Sequence, residues 1–361
     1  LVQVRYFEAA GHTSPVKIVD FTYDKLGNLT AYNDGTTSAE YAYDDLQRKI
    51  REMVDYGSFS LMYEYGYLAD GLKKTFTGPD GETIAYHYDE NNRISSIAIP
   101  GQGHITYNTY QWNSPTRISM PGGSLTDYHY DPLMRVTSIT ARDPGQNARM
   151  TRDYTYSPAG NILAKNTEHG VYTYQYDDLQ RLTEALNPQS PDEAYTYDAL
   201  GNRLSLAQHS GWQYNANNEL LGYGDVTYRY DDNGNTVQKT SGLQTHHYIY
   251  DVEDRLVRIE DDLGSAVAQY YYDPFGRRLW KEVDGVRTCF LYSDEGLIGE
   301  FDQSGTPVRS YGWAPDSQWG TDPLFVKQDG SYHWYLNDHL GTPQQIIDTS
   351  GKVVWSAVYD S

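Results

Sequence analysis

The chain has 361 residues, 36 of them tyrosine, a single cysteine and a formal net charge of −21. That charge argues against grasping nucleic-acid phosphates or an anionic membrane through this surface, and Cys289 alone leaves no intrachain disulfide to make. No apolar run approaches the roughly 18 residues of a membrane span, and abundant Tyr beside modest Leu and Ile implies an aromatic, strand-rich core.

Leu1-Val2-Gln3-Val4-Arg5-Tyr6 reads as an incoming strand without a signal-peptide hydrophobic region, and Gly11-His12-Thr13-Ser14-Pro15 reads as a breaker. From Phe21 onward one phrase recurs: aromatic, any residue, aromatic, usually Asp, then a turn. Its second aromatic falls at Tyr23, Tyr43, Tyr65, Tyr88, Trp112, Tyr130, Tyr156, Tyr176, Tyr197, Tyr214, Tyr230, Tyr250 and Tyr272. The period of about 21 residues lies in the range of stacked repeats. The residue that follows is Asp at Asp24, Asp44, Asp89, Asp131, Asp177, Asp198, Asp231, Asp251 and Asp273, and otherwise Gly66, Asn113, Ser157 or Asn215.

Gly27, Gly160, Gly201, Gly234 and Gly276 close four-residue segments opened by Asp or Ser, as a type I turn favours. Other copies close with Asn92, Asn218 or Asp254, but also with Gln47, Met134 and Gln180, side chains that a left-handed position penalises. These copies predict a turn geometry that varies along the chain. An Arg or Asn and an apolar residue come next, as in Asn28-Leu29 and Arg181-Leu182, and read as the returning strand. Between phrases lie further turns such as Gly78-Pro79-Asp80-Gly81 and Asp143-Pro144-Gly145, so each repeat holds two strands in an antiparallel hairpin series with no helix.

Thirteen such repeats predict roughly 26 strands spanning on the order of 125 Å. Open twisted sheets rarely exceed about ten strands, so this one has to coil, and a coil that wide implies contents, water or a partner. After about residue 285 the phrase dissolves, dividing the chain into an array, 1–285, and a distinct tail, 286–361. The chain opens without Met and stops at Tyr359-Asp360-Ser361, within another phrase, which suggests a piece of a longer protein.

Candidate chemistry weighs against simpler roles. Recurrent turn aspartates need no catalytic function. The loop from Asp231 is rich in oxygen ligands, but its twelfth residue is Gly242 where an EF-hand carries Glu. Adjacent His246 and His247 point to opposite strand faces, and His333 and His339 lack Cys partners, so no metal or cofactor is expected. Cys289 suits a buried, small apolar role. Regular Tyr pairs favour a structural ladder, with exposed Trp313, Trp319 and Trp334 the places to seek ligand stacking.

The Tyr-Asp phrases resemble YD repeats, found in teneurins, bacterial wall-associated proteins and insecticidal toxin-complex C components. The tail from Tyr292 to Asp360, above all Asn337-Asp338-His339-Leu340-Gly341-Thr342-Pro343, is similar to the start of the Rhs repeat-associated core. The resemblance implies an all-β hairpin array coiled into part of a hollow cocoon. It further implies an exported or surface bacterial protein enclosing a C-terminal toxin of the same parent chain, with a type VI spike protein or a chaperone as delivery partner. That family's core ends in an aspartyl self-cleaving segment with an Asp-Pro-x-Gly-Leu motif. Asp273-Pro274-Phe275-Gly276 matches its first half but continues with Arg277, and reads as a repeat turn. A surface adhesin or glycan-binding array and a hydrolytic enzyme stay open as rival readings.

Overall fold

A computed structural model describes residues 1–8, 13–206 and 209–360; Gly11 and His12 of the expected breaker lie outside the described residues. Every regular element among them is a strand. Twenty strands, from Val2–Tyr6 to His209–Ser210, make one sheet and fifteen, from Gln213–Tyr214 to Val353–Ser356, make another. Within each sheet, every strand but the end ones pairs antiparallel with the strands before and after it in the chain, as Lys17–Tyr23 does with Val2–Tyr6 and Leu29–Asn33. A run of hairpins needs no crossover, so the backbone's hydrogen-bonding groups are satisfied by neighbours in sequence.

Side chains alternate across the sheet. In Ser60–Tyr67, Leu61, Tyr63 and Tyr65 are buried while Met62 on the other face is 39 % exposed. The buried faces of the two sheets share one cluster, with Tyr32, Tyr63, Ile97 and Met150 from the first and Leu279, Phe301, Trp334 and Ile347 from the second. Aromatic rings fill much of it, meeting edge to face as Phe325 and Trp334 do, 6.0 Å apart at 76°. The opposite face is mixed, with cross-strand hydroxyl pairs at Thr109–Thr116 and Thr196–Ser205 beside exposed apolar side chains such as Met62 and Trp355.

Candidate functional site

The repeated Asp builds its own turn. At Asp24 the backbone N–H donates to the Asn28 carbonyl, and Gly27 N–H donates back to the Asp24 carbonyl. Oδ1 accepts from the N–H groups of Leu26 at 2.8 Å and Asn28 at 2.9 Å, and Oδ2 accepts from the Asn28 amide. Asp44, Asp89, Asp131, Asp177, Asp198, Asp231, Asp251 and Asp273 repeat this pattern with Arg or Asn in the fifth place. Donation from Arg48, Arg93, Asn28, Asn202 and Asn235 holds the carboxyls of Asp44, Asp89, Asp24, Asp198 and Asp231 below their ordinary value. The loop at Asp231, with both oxygens engaged in this way, is one more such turn.

At Gln47, Met134 and Gln180 the turn is the same as in the glycine copies, contrary to the expectation from those side chains. Their φ angles are 63°, 62° and 63°, the left-handed conformation that Gly27 adopts at 89°. A left-handed side chain costs roughly 1–2 kcal/mol, and four hydrogen bonds to one aspartate outweigh it.

Each hairpin is joined to the next by a tyrosine. Tyr43 Oη donates to the Leu29 carbonyl at 2.9 Å, the residue that starts the preceding hairpin's return strand. The same rung is made by Tyr88, Tyr130, Tyr156, Tyr176, Tyr197, Tyr230, Tyr250 and Tyr272, all between 2.6 and 3.1 Å. Tyr23, in the first copy, is 44 % exposed. Two positions differ from the sequence reading: the rungs are Tyr67 and Tyr110, not Tyr65 and Trp112. Tyr65 instead donates to Glu295 on the other sheet, and Trp112 sits in a two-residue turn, 80 % exposed. Gly71, placed four residues after Tyr67, was the signal that fixes the first of these.

Arginines reinforce the rungs. Arg181 takes Asp177 Oδ2 at 2.7 Å, stacks its guanidinium 4.6 Å from the next rung, Tyr197, and donates to the Asp198 carbonyl. Arg48, Arg93, Arg135 and Arg255 do likewise for Tyr67, Tyr110, Tyr156 and Tyr272. A guanidinium suits this work because one planar fork can grip a carboxylate and still present a face to a ring.

Rungs continue through the tail, at Tyr292, Trp313 and Tyr359. Asn337 holds a rung position too, its amide donating to the Pro323 carbonyl at 2.9 Å. Asp338 then opens a turn of the usual kind through Leu340 and Thr342, with Gly341 closing it at φ 75°. A Cβ on Gly341 would lie 2.7 Å from the Asp322 nitrogen, so the motif needs glycine there for close approach as well as for φ. His339 packs 4.5 Å from Tyr154 of the first sheet, Leu340 is exposed, and the Pro343 carbonyl accepts from Tyr359.

Between the sheets runs an ionic seam. Glu52, 1 % exposed, accepts from Lys49 at 2.9 Å, Tyr63 at 2.6 Å and Arg277 of the second sheet at 2.9 Å. Arg277 also grips the buried Asp273 at 2.6 Å. Lys49 reaches Asp294 at 2.6 Å, and Lys73 pairs with Glu295. Burial pushes the Glu52 carboxyl up, but Arg277, Lys49 and Tyr63 outweigh it and hold the group below its ordinary value. Asp273-Pro274-Phe275-Gly276 is thus a docking turn, with Phe275 packed against Phe21 and Tyr32.

Cys289 is 2 % exposed and burial pushes its thiol up to about 11. Trp334, expected at the surface, is wholly buried because its strand face belongs to the shared core. Trp313 is partly buried on its rung, and Trp319 is 56 % exposed, stacked on Tyr292. Among the described residues no group of three His, Cys, Asp or Glu side chains is placed to hold a metal ion, and no helix is long and apolar enough to cross a membrane. His246 and His247 lie on a strand, partly buried, and His333 lies on the sheet face opposite the core.

Comparison with known proteins agrees with this architecture. The double-stranded DNA deaminase toxin A of Burkholderia cenocepacia is 26 % identical over 371 residues, covering 94 % of this chain and 24 % of the toxin. The tRNA nuclease WapA of Bacillus subtilis is 27 % identical over 349 residues, covering 94 % of this chain and 13 % of WapA. The chain therefore spans about a quarter or less of these relatives. Among solved structures, a chain of the Photorhabdus luminescens Tc holotoxin pore superposes with a TM-score of 0.78 at 15 % identity, covering 99 % of this chain and 22 % of that one. A chain of the TcdB2-TccC3-Cdc42 complex gives 0.77 at 14 % identity, covering 99 % and 23 %. The teneurin YD-shell model matches residues 3–157 and 160–361, and with the rungs and turns it establishes that this chain belongs to the YD-shell family.

Proposed function

We propose that this chain is a wall segment of an Rhs-type toxin, a β-shell that sequesters a C-terminal effector of the same parent chain until delivery. Residues 1–285 form its repeat array and 286–361 begin the Rhs-associated core. The observation that carries the reading is the rung, repeated from Tyr43 to Tyr359, with tyrosine giving way only to Trp313 and Asn337 among the rungs described. A sheet that extends by one rule, with each hairpin bonded to the last, is a means of enclosing volume; chemistry in this reading belongs to the effector. The repeat aspartates sit in turns at the strand ends, engaged by their own backbone, and so do not line the faces of the wall. The parent would be exported and handed over by a spike protein or chaperone in competition between bacteria.

Protease protection tests this. In the intact parent protein a tag on the C-terminal effector should survive digestion that removes it from the same effector expressed alone. A tag cleaved equally fast in both would overturn the proposal.

A further inference from the structure

We propose that the cavity beside the 338–342 turn binds a small carboxylate with an apolar body, its charge answered by Lys165. The inference is independent of the shell reading. Tyr154, Lys165 and Tyr172 are directly opposed across three neighbouring strands, Ala148–Tyr156, Ile162–Thr167 and Gly170–Tyr176, and therefore share one face of the first sheet. That face is the buried one, with Tyr154 4 % and Tyr172 3 % exposed. An ammonium in the middle of such a row is costly unless an opposite charge meets it.

The chain meets that need only in part. Lys165 forms no ion pair among the described residues, and its Nζ lies 4.2 Å from the centre of the Tyr172 ring. Its neighbours are engaged elsewhere. Arg152, 4 % exposed, pairs with Glu168 and donates to Gln344 of the second sheet at 3.2 Å. Asp338 lines the same cavity from the second sheet, but its carboxylate accepts from the N–H groups of Leu340 and Thr342 at 2.9 and 3.0 Å and from the Gln344 amide at 3.2 Å. His169 turns to Glu168 at 3.5 Å, and Asp360 is exposed. Burial, and then Arg152, hold the Lys165 ammonium below the usual lysine range against the pull of Asp338. Two more polar groups of the lining, the Tyr154 hydroxyl and His339 Nδ1, have no hydrogen-bond partner among the described residues.

Size and charge together set the ligand class. The cavity measures about 300 Å³, at the small end of ligand pockets. Ile162, Leu340 and Val358 join the two tyrosine rings in giving it apolar walls. An uncompensated ammonium selects an anion and rejects an amine. One negative charge is what Lys165 lacks, whereas a phosphate dianion would bring a second charge up against Asp338. A carboxylate on a short apolar or aromatic body satisfies both the cation and the walls.

Isothermal titration of the 361-residue chain with benzoate tests this, beside benzamide, the same ring without the charge, and inorganic phosphate. Benzoate should bind saturably with a Kd below about 10 mM, and the other two at least about tenfold more weakly. Lys165→Met should weaken benzoate binding by a similar factor with an unchanged circular dichroism spectrum. Lys239→Met, which removes a lysine lying over Tyr228 on the second sheet, should bind benzoate as the wild type does. In the wild-type chain, benzoate should also slow acetylation of Lys165 by acetic anhydride, read by peptide mass spectrometry, without slowing that of Lys239, a readout that needs no variant to fold. The proposal is overturned by any of four results: no saturable benzoate binding, benzamide or phosphate binding as tightly as benzoate, a folded Lys165→Met variant that binds like wild type, or acetylation of Lys165 indifferent to benzoate.

Discussion

Replacing Arg277 by Met tests the seam most sharply, because this one guanidinium joins two buried carboxylates on different sheets. Glu52 and Asp273 are 1 % and 0 % exposed, with Arg277 at 2.9 Å and 2.6 Å. Removing one partner from a buried pair costs about 3–5 kcal/mol, since the remaining charge stays desolvated. Glu52 keeps Lys49 and Tyr63, and Asp273 keeps the N–H groups of Phe275 and residue 277, so the expectation is the lower end, about 3 kcal/mol. Urea unfolding followed by tryptophan fluorescence measures it. Adding Glu52→Gln to Arg277→Met should recover part of the loss, a coupling of roughly 1–3 kcal/mol between contacting residues. The pH dependence has a fixed sign. The Glu52 carboxyl is depressed in the fold, so its contribution is full above the unfolded value of about 4.3 and is lost as pH falls through the folded one. The stability gap between wild type and Glu52→Gln should therefore narrow in acid and stay constant from neutral to mildly alkaline pH. A single variant within about 1 kcal/mol of wild type, or strictly additive effects, would refute the seam as described.

Three further outcomes follow from the repeat. Met134→Gly and Gln180→Gly relieve left-handed side chains at φ 62° and 63° and should each stabilise by up to about 1 kcal/mol in urea, whereas Gly201→Ala at φ 91° should destabilise by a similar amount. Tyr197→Phe removes one rung, leaving the Leu182 carbonyl without its hydroxyl donor, and should cost about 0.5–1.5 kcal/mol with faster amide exchange confined to the two hairpins it joins. Cys289, buried and with its thiol pushed up to about 11, should react with a thiol reagent only on unfolding; rapid modification of the native chain would contradict its placement.

Much of the fold was legible because its instructions are local. Tyr197, Asp198 and Gly201 lie within five residues and between them specify a strand, a turn and a left-handed closure, so hairpin succession follows from spacing alone. What was not legible rests on distance. Glu52 and Arg277 stand 225 residues apart, and nothing near either announces the other. Trp334 resembles any exposed aromatic until the second sheet is seen to share a core with the first. The shared turn was hidden for a different reason: propensity speaks against Met134, and only the hydrogen bonds to Asp131 reveal why the penalty is accepted. Asn337 concealed itself as a motif residue while holding the place of a tyrosine rung; its position before Asp338, with Gly341 three residues further on, was the available clue.

The most direct test of the shell account is the mass of the whole parent protein under native conditions beside the masses of its pieces in denaturant. A single native particle that separates in denaturant into a long wall and a short C-terminal fragment is the predicted result, because a closed wall retains its cargo without a covalent link. A wall that releases the fragment while still folded would contradict it.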